Sequence, residues 1–336
     1  MKVVITGIAG FIGSHVADEM LSVGWEVVGI DNLIGGLIDN VPLQAQFFER
    51  DCCSSLDDIF ERFRPDAVVH LAAYAAEGLS HHIPSFNYHN NLVSTANVLT
   101  AAYRAGAKHF AFSSSIAAYG HPIAGEPFTE ETPCRPCDPY GIAKLACEQH
   151  IVAFHEYFGG PKYTIFRPHN VFGPRQNITD PFRNVVGIFF RCAKQGLPLP
   201  IFGDGTQTRS FSYIDVVAKS IAECFTTELA TNQIFNIGAE LSLSINELAQ
   251  TIARLTNTST GVEHLPARKE VQHAHANQSK AMQAFPSVFE NAISIEDGLD
   301  LMLQYINSRD VPPPTPCPSR IEIRDRLPAK WHENLL

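Results

Sequence analysis

A tyrosine and a lysine stand four residues apart in Tyr140-Gly141-Ile142-Ala143-Lys144. On a helix that spacing puts both side chains on one face, about 6 Å apart at Cβ. An ammonium beside a phenol favours the phenolate and draws its pKa from about 10 toward neutrality, which predicts a general base. Upstream, a short apolar run from Lys108 to Phe112 leads into Ser113-Ser114-Ser115. A serine at the end of a strand, within reach of such a base, completes a set able to move a proton on and off a hydroxyl.

These residues need elements to hold them, and the chain begins with one. Lys2 to Thr6 reads as a buried strand and runs into Gly7-Ile8-Ala9-Gly10-Phe11-Ile12-Gly13, which opens an apolar helix from Phe11 to Val23. A strand that ends in glycines and starts a helix leaves free N–H groups at the positive end of a helix dipole, a place for a phosphate. Gly7 makes the tight turn, Gly10 admits a pyrophosphate to the backbone, and Gly13 lets the helix pack on the strand. Phe11 and Ile12 carry the first amides of that helix. A second strand, Trp25 to Ile30, ends in Asp31, where an acid accepts hydrogen bonds from a ribose diol and repels a 2′-phosphate. The implied cofactor is NAD rather than NADP.

Further cofactor positions follow from the ends of later strands. Asn32 opens a turn-rich connection, and a strand from Gln46 to Glu49 closes on Asp51 and Cys52, within reach of an adenine. After a helix from Leu56 to Arg64, the strand Ala67 to Leu71 is followed by Ala72-Ala73, and such small residues leave room for a flat ligand. Ser113 ends the next strand. Apolar spacing near 3.6 predicts one long helix over Ser85 to Ala105 and another over Tyr140 to Phe158. The segment between Tyr74 and Ile83 has no clear period, and its His81 and His82 read as solvated loop histidines.

Strands alternating with helices predict an α/β fold, a doubly wound parallel Rossmann sheet with right-handed crossovers and its ligands at the carboxyl ends of the strands. The expected division is a dinucleotide domain over residues 1–168, with some later segments returning to it, a smaller substrate lobe over 169–310, and a Pro-rich tail over 311–336. In the lobe, Arg183 to Gln195, Ile214 to Phe225 and Ser244 to Leu255 are helix candidates, the last opened by a capping box ending at Glu247. The tail, with Trp331, either packs back on the core or pairs with another subunit.

Composition removes several function classes. The 336 residues carry a formal charge of −10 and no basic run, which argues against nucleic acid or an anionic membrane as partner. No run of 18 apolar residues and no secretory leader is apparent, so a cytoplasmic protein is expected. The eight cysteines are scattered, and Cys134-x-x-Cys137 lacks a second pair at zinc spacing, so no metal site is expected.

Taken together, these motifs make the chain resemble the extended short-chain dehydrogenase/reductases, and more narrowly the nucleotide-sugar epimerases and dehydratases. Ser113 to Gly120 is similar to the family's serine motif, and Ser115 stands 25 residues before Tyr140, the spacing of the 4-epimerases. Phe166-Arg167-Pro168-His169-Asn170-Val171-Phe172-Gly173-Pro174 resembles the stretch after the sixth strand, where Pro168 borders the cofactor and Asn170 matches an asparagine that holds the substrate's diphosphate. Arg209 and Arg268 match two arginines that pair with the same diphosphate, and guanidinium forks suit such oxygens.

The resemblance implies an NAD-dependent enzyme that inverts C4 of a nucleotide-diphosphate sugar through a transient 4-keto intermediate. Ser115, Tyr140 and Lys144 would be its catalytic residues, with Ser115 and Tyr140 also touching the sugar. The family's 4,6-dehydratases carry an acidic pair just after the motif serine or threonine, where this chain has Ile116 and Ala117, and that favours epimerisation. Dehydration or another NAD-dependent change of a nucleotide sugar is the nearest alternative, and a non-catalytic NAD-binding regulator a distant one. The family's dimers imply a homodimer through the helices Ser85 to Ala105 and Tyr140 to Phe158.

Overall fold

Alternation of side chains along a strand decides which face each residue serves, and the first strand shows it. In β1 (Lys2–Thr6), Val3 and Ile5 enter one apolar layer while Val4 enters the opposite one. A computed structural model describes residues 1–121, 126–267, 272–310, 315–328 and 331. Within it β1 is an inner strand of a seven-stranded, fully parallel sheet, next to the middle one. It pairs on one side with β2 (Glu26–Asp31) and on the other with β4 (Ala67–His70), so that Val4 stands beside both Val28 and Val68. β3 (Gln46–Glu49) lies outside β2, while β5 (His109–Ser113) and β6 (Lys162–Pro168) follow β4. A strand from late in the chain, Gln233–Ile237, closes that edge by pairing with β6.

The chain therefore leaves β1 in one direction along the sheet and returns to begin again at β4. That reversal makes a crevice at the carboxyl ends of β1 and β4, where an open α/β sheet binds its ligands. Helices cover both faces, as the doubly wound reading expects. One layer holds Phe11–Ser22 beside Ile214–Glu223, with Val16, Met20, Val217 and Ile221 buried against the sheet. The other holds Asp57–Phe63, Ser94–Arg104 and Pro139–Phe158, with Phe60, Leu99, Cys147 and Ile151 buried.

A second lobe has its own core of Phe189, Phe190, Ile201, Leu248, Ile252 and Met302. It carries short pairings, Leu199–Phe202 with Val262–Leu265 and Thr208–Ser210 with Ser242–Ser244. Its helix Ile245–Thr256 starts with the expected capping box, in which Ser244 Oγ accepts from Glu247 N and the Glu247 carboxylate accepts from Ser244 N. The helix Ile214–Glu223, although it follows His169 in sequence, packs on the sheet beside Phe11–Ser22.

The long helix expected over Ser85 to Ala105 is a composite. Regular turns at Pro84–Tyr88 and Ser94–Arg104 flank a π-helical turn at His89–Val93. The wide turn swings Asn91 inward, where its amide accepts from Tyr74 N (2.9 Å) and donates to Asn87 Oδ1 (2.8 Å), and its carbonyl accepts from Thr95 (2.7 Å).

Candidate active site

The glycine turn sits at the crevice. Gly7 adopts φ +75°, and its N–H donates to Ile30 O at 2.7 Å, tying the turn to β2. A Cβ on Gly13 would stand 2.1 Å from Gly7 O, so only glycine lets the helix start that close. Asp31 braces the turn from behind: its carboxylate accepts from Ala9 N at 3.0 Å and Leu33 N at 2.8 Å. Burial raises its pKa, and those backbone donors pull it back. The amides of Asn32 and Gly10 act on the same carboxylate, so four backbone groups surround it at the end of β2. Asp51 accepts from Asn32 Nδ2 at 3.2 Å and from Cys53 N at 2.7 Å, and Cys52 lies buried beside it as a neutral thiol.

Behind the crevice runs a buried relay. The Thr95 hydroxyl gives its proton to Asn91 O, so it accepts from His70 Nε2 at 3.0 Å, and His70 Nδ1 in turn accepts from the Thr6 hydroxyl at 2.7 Å. Burial holds this imidazole neutral, with a pKa pulled down to about 3. Thr6 Oγ1 then receives the N–H of Ala72 at 3.3 Å, which fixes the Leu71-Ala72-Ala73 strand end.

The serine motif is held by charges that sequence spacing does not reveal. The Ser114 hydroxyl donates to Glu148, whose carboxylate also takes a bidentate fork from Arg167, Nε at 2.9 Å and Nη2 at 2.6 Å. Arg167 stacks on Tyr119 at 4.5 Å, and Tyr119 donates to Asn236 Oδ1 at 2.7 Å. This network lies in the interior and sets the backbone on which Ser115 stands. Ser115 Oγ accepts from Ala117 N at 3.1 Å. Asp138 caps the helix Pro139–Phe158 by accepting from Gly141 N at 2.9 Å, and that fixes the start of the Tyr140 turn.

Lys144 is 3% exposed and Tyr140 is 6% exposed. The ammonium donates to Ser113 O at 2.7 Å, over the Phe112 ring at 4.7 Å and 5.8 Å from the centre of the Tyr140 ring. The sequence expectation that Lys144 acidifies Tyr140 is corrected here. Burial pushes the phenol up, the Glu77 carboxylate pushes the same way, and the Ser115 hydroxyl and the Arg183 guanidinium pull against them. Lys144 itself is pulled down to about 8 by burial. An ammonium already committed to a backbone carbonyl is a weak neighbour for the phenol, and the low dielectric that strengthens charges also disfavours making one.

On the opposite wall Asn170, held at φ +28°, donates from Nδ2 to Ser210 O at 3.1 Å, and Arg209 Nη1 donates to Thr208 O at 2.9 Å and Gln272 O at 3.0 Å. Arg268 lies outside the described residues. Every other residue expected to be catalytic or to touch cofactor or substrate, including Gly10, Phe11, Ile12, Ser113 and Pro168, lines one continuous cleft of about 1790 Å³. A single small ligand fills roughly 300–1,000 Å³, so this cleft has room for a dinucleotide and a second ligand end to end. Among the described residues no group of three His, Cys, Asp or Glu is placed to hold a metal, and no helix is long and apolar enough to cross a membrane.

Several groups at the Tyr140 end escaped the sequence reading. Glu77 opens a short helix after β4 and lines the cleft. Arg183, read only as a helix start, pairs with Asp180 at 2.9 Å and stacks on Tyr74 at 4.4 Å. His82, expected in solvent, is buried, with Nδ1 donating to Ile323 O at 2.8 Å. The available signal was a lone acid and a histidine pair directly after a strand end in a segment without period.

Comparisons with known proteins agree with this geometry. The profile of the NAD dependent epimerase/dehydratase family matches residues 3–238. A UDP-glucose 4-epimerase from Thermotoga maritima, solved with UDP-glucose, superposes with a TM-score of 0.85 at 32% identity, covering 92% of this chain and 99% of that one. The Thermus thermophilus UDP-glucose 4-epimerase in complex with NAD gives 0.84 at 29% identity, covering 91% and 99%. A UDP-N-acetyl-alpha-D-glucosaminuronate decarboxylase from Bacillus cytotoxicus is 33% identical over 81% of this chain and 85% of its own.

Proposed function

The chain belongs to the NAD-dependent epimerase/dehydratase family, and we propose that within it the protein is a nucleotide-sugar 4-epimerase, inverting C4 through a transient 4-keto sugar. Its cofactor is NAD, which when bound supplies the acceptor and donor of the hydride. The residues present fit that group: the glycine turn opens a helix N-terminus for the pyrophosphate, Asp31 lines the cleft at the end of β2 where a ribose diol would lie, and Ala72 and Ala73 leave the strand end flat.

In the proposed cycle Tyr140 Oη, as the phenolate, takes the proton of the sugar C4 hydroxyl and later returns it; burial opposes that ionisation, and the positive charge that offsets it would come from Lys144 and the bound cofactor. Ser115 Oγ bridges the phenol and the C4 oxygen, so the proton has a short path in a closed site. Lys144 Nζ would hold the nicotinamide ribose and supply a positive charge at that end of the cleft. Asn170 and Arg209, with Arg268, keep the diphosphate fixed while the keto sugar turns its other face. The observation that carries the reading is the place of Ser115, Tyr140 and Lys144 together at one end of a cleft whose serine is followed by Ile116 and Ala117 rather than by an acidic pair. Without an acid there, loss of a hydroxyl as water lacks its proton donor.

One observation favours a second reading, nucleotide-sugar dehydration: Glu77 brings a carboxylate to the Tyr140 end from another element. Incubating the NAD-loaded protein, without added reductant, with UDP-, GDP-, CDP- and TDP-sugars and reading products by proton NMR separates the two. Inversion at C4 without net redox is expected, and a 4-keto-6-deoxy product overturns the epimerase reading. The proposal extends to a homodimer, since Val93, Tyr103, Ile142, Tyr157 and Phe158 expose apolar surface along the helices that would pair. Sedimentation at twice 37.0 kDa is the expected result. It also extends to action in the cytoplasm, where the chain's free cysteines stay reduced.

A further inference from the structure

The C-terminal tail crosses the Tyr140 end of the cleft and is fastened on both lips. On the lobe side Thr315 N donates to Thr179 O at 3.4 Å, and Asn177 Nδ2 donates to Thr315 Oγ1 at 2.8 Å. On the sheet side the Glu322 carboxylate accepts from Ser85 N at 3.0 Å and Phe86 N at 3.2 Å, free amides at the start of the helix Pro84–Tyr88. Glu322 N donates to His82 O at 2.9 Å, beside the His82–Ile323 bond described above. Beyond the second clip, between Glu322 and Trp331, Ile323, Asp325, Arg326 and Pro328 line the cleft.

Trp331 is the deepest part of the described tail, 7% exposed among Tyr74, Leu79, Ile83 and Phe182. Its ring meets Phe182 edge-on at 5.1 Å and His82 at 6.0 Å. A Cβ on Gly78 would stand 3.1 Å from the indole, so Trp331 presses directly on the turn that carries Glu77 and Ser80. Ser80 Oγ in turn accepts the N–H of Tyr140 at 3.2 Å. One chain of contacts thus runs from the tail, through a single turn, to the residue at the centre of the proposed chemistry.

From this geometry we propose that the tail is the wall of the sugar subsite, with Trp331 as a positioning residue that holds the Glu77–Ser80 turn against Tyr140. Ile323, Asp325 and Arg326 then select which monosaccharide the nucleotide carries. The inference rests on the nucleotide-sugar reading. A wall made by a separate segment also explains how one sheet with one base could serve several sugars: the fixed residues act at C4, and the tail reads the rest of the ring.

The chain's two tryptophans make the test direct. Trp25 is buried against Phe225 at 5.5 Å on a sheet-covering layer and takes no part in the cleft, so in a Trp25→Phe protein Trp331 alone reports. In that NAD-loaded protein UDP-glucose, and not UDP, is expected to shift the Trp331 emission. Trp331→Ala should keep NAD and bind UDP as the parent does. It should lose on the order of tenfold or more in kcat/KM for the preferred sugar, as a misplaced reacting group does, and change the ranking among sugars. Trp331→Phe should restore most of the loss. If UDP and UDP-glucose move the emission alike, or Trp331→Ala turns over every sugar as the active parent does, the role of the tail is overturned and the functional reading stands. If the parent binds no nucleotide sugar, both fall.

Discussion

Replacing Lys144 by methionine is expected to make the folded protein more stable at neutral pH while abolishing its turnover. Burial pulls the Lys144 ammonium from 10.5 down to about 8, so the folded protein holds this proton less tightly than the unfolded chain. Above pH 10.5 both states are neutral at this position and it has no effect on stability. As pH falls toward about 8 the unfolded chain takes up the proton first, and stability is lost; below about 8 both states are charged and the loss is complete. At about 1.4 kcal/mol per pH unit, the interval between 10.5 and about 8 is worth on the order of 3 kcal/mol. Methionine escapes that penalty but leaves Ser113 O without its 2.7 Å donor, which costs about 1 kcal/mol. The net gain expected at pH 7 is about 2 kcal/mol, shrinking to zero or reversing near pH 10.5. The assay is urea unfolding of nucleotide-free protein at both pH values, since a ligand bound only to the folded state adds its own stabilisation. A Lys144→Met protein that is less stable than the parent at pH 7, or whose difference does not change with pH, refutes the reasoning.

Three further outcomes follow from the same geometry. Tyr140→Phe should keep its NAD and lose roughly 10²- to 10⁴-fold in kcat, the usual contribution of a positioned acid–base group, and full activity would remove the phenol from the mechanism. Asp31→Ala strips acceptors from Ala9 N and Leu33 N; a destabilisation of about 1–3 kcal/mol is expected from unpaired buried amides, with weaker NAD binding and less rejection of NADP in a calorimetric titration. Glu148→Gln breaks the buried fork on Arg167 and is expected to cost about 3–5 kcal/mol in thermal or urea unfolding. An unchanged midpoint there would show that the network under the serine motif is dispensable.

Where the chemistry of a residue acts within one turn of backbone, the sequence was enough. β1 could be read from Val3, Val4 and Ile5 because a strand's period of two assigns side chains to faces without knowing what covers them. Gly7 and Gly13, the Ser244–Glu247 cap, and the shared face of Tyr140 and Lys144 follow from contacts between near neighbours. Even the doubly wound class of the sheet, though not its strand order, came from the alternation of local elements.

What the sequence left open depends on residues far apart in the chain. The π-helical turn at His89–Val93 exists to aim Asn91 at Tyr74 N, and a periodicity search sees only the apolar face, which such a turn barely disturbs. Glu148 reaches Arg167 across 19 positions on different elements, and His82 reaches Ile323 across 241. The tail's destination was undecided until Trp331 was found among Tyr74, Leu79 and Phe182. The direction of the Tyr140 pKa belongs to the same class. Spacing told which ammonium was its neighbour, but burial and the carboxylate of Glu77 decided the sign, because the energy of a charge depends on everything folded around it.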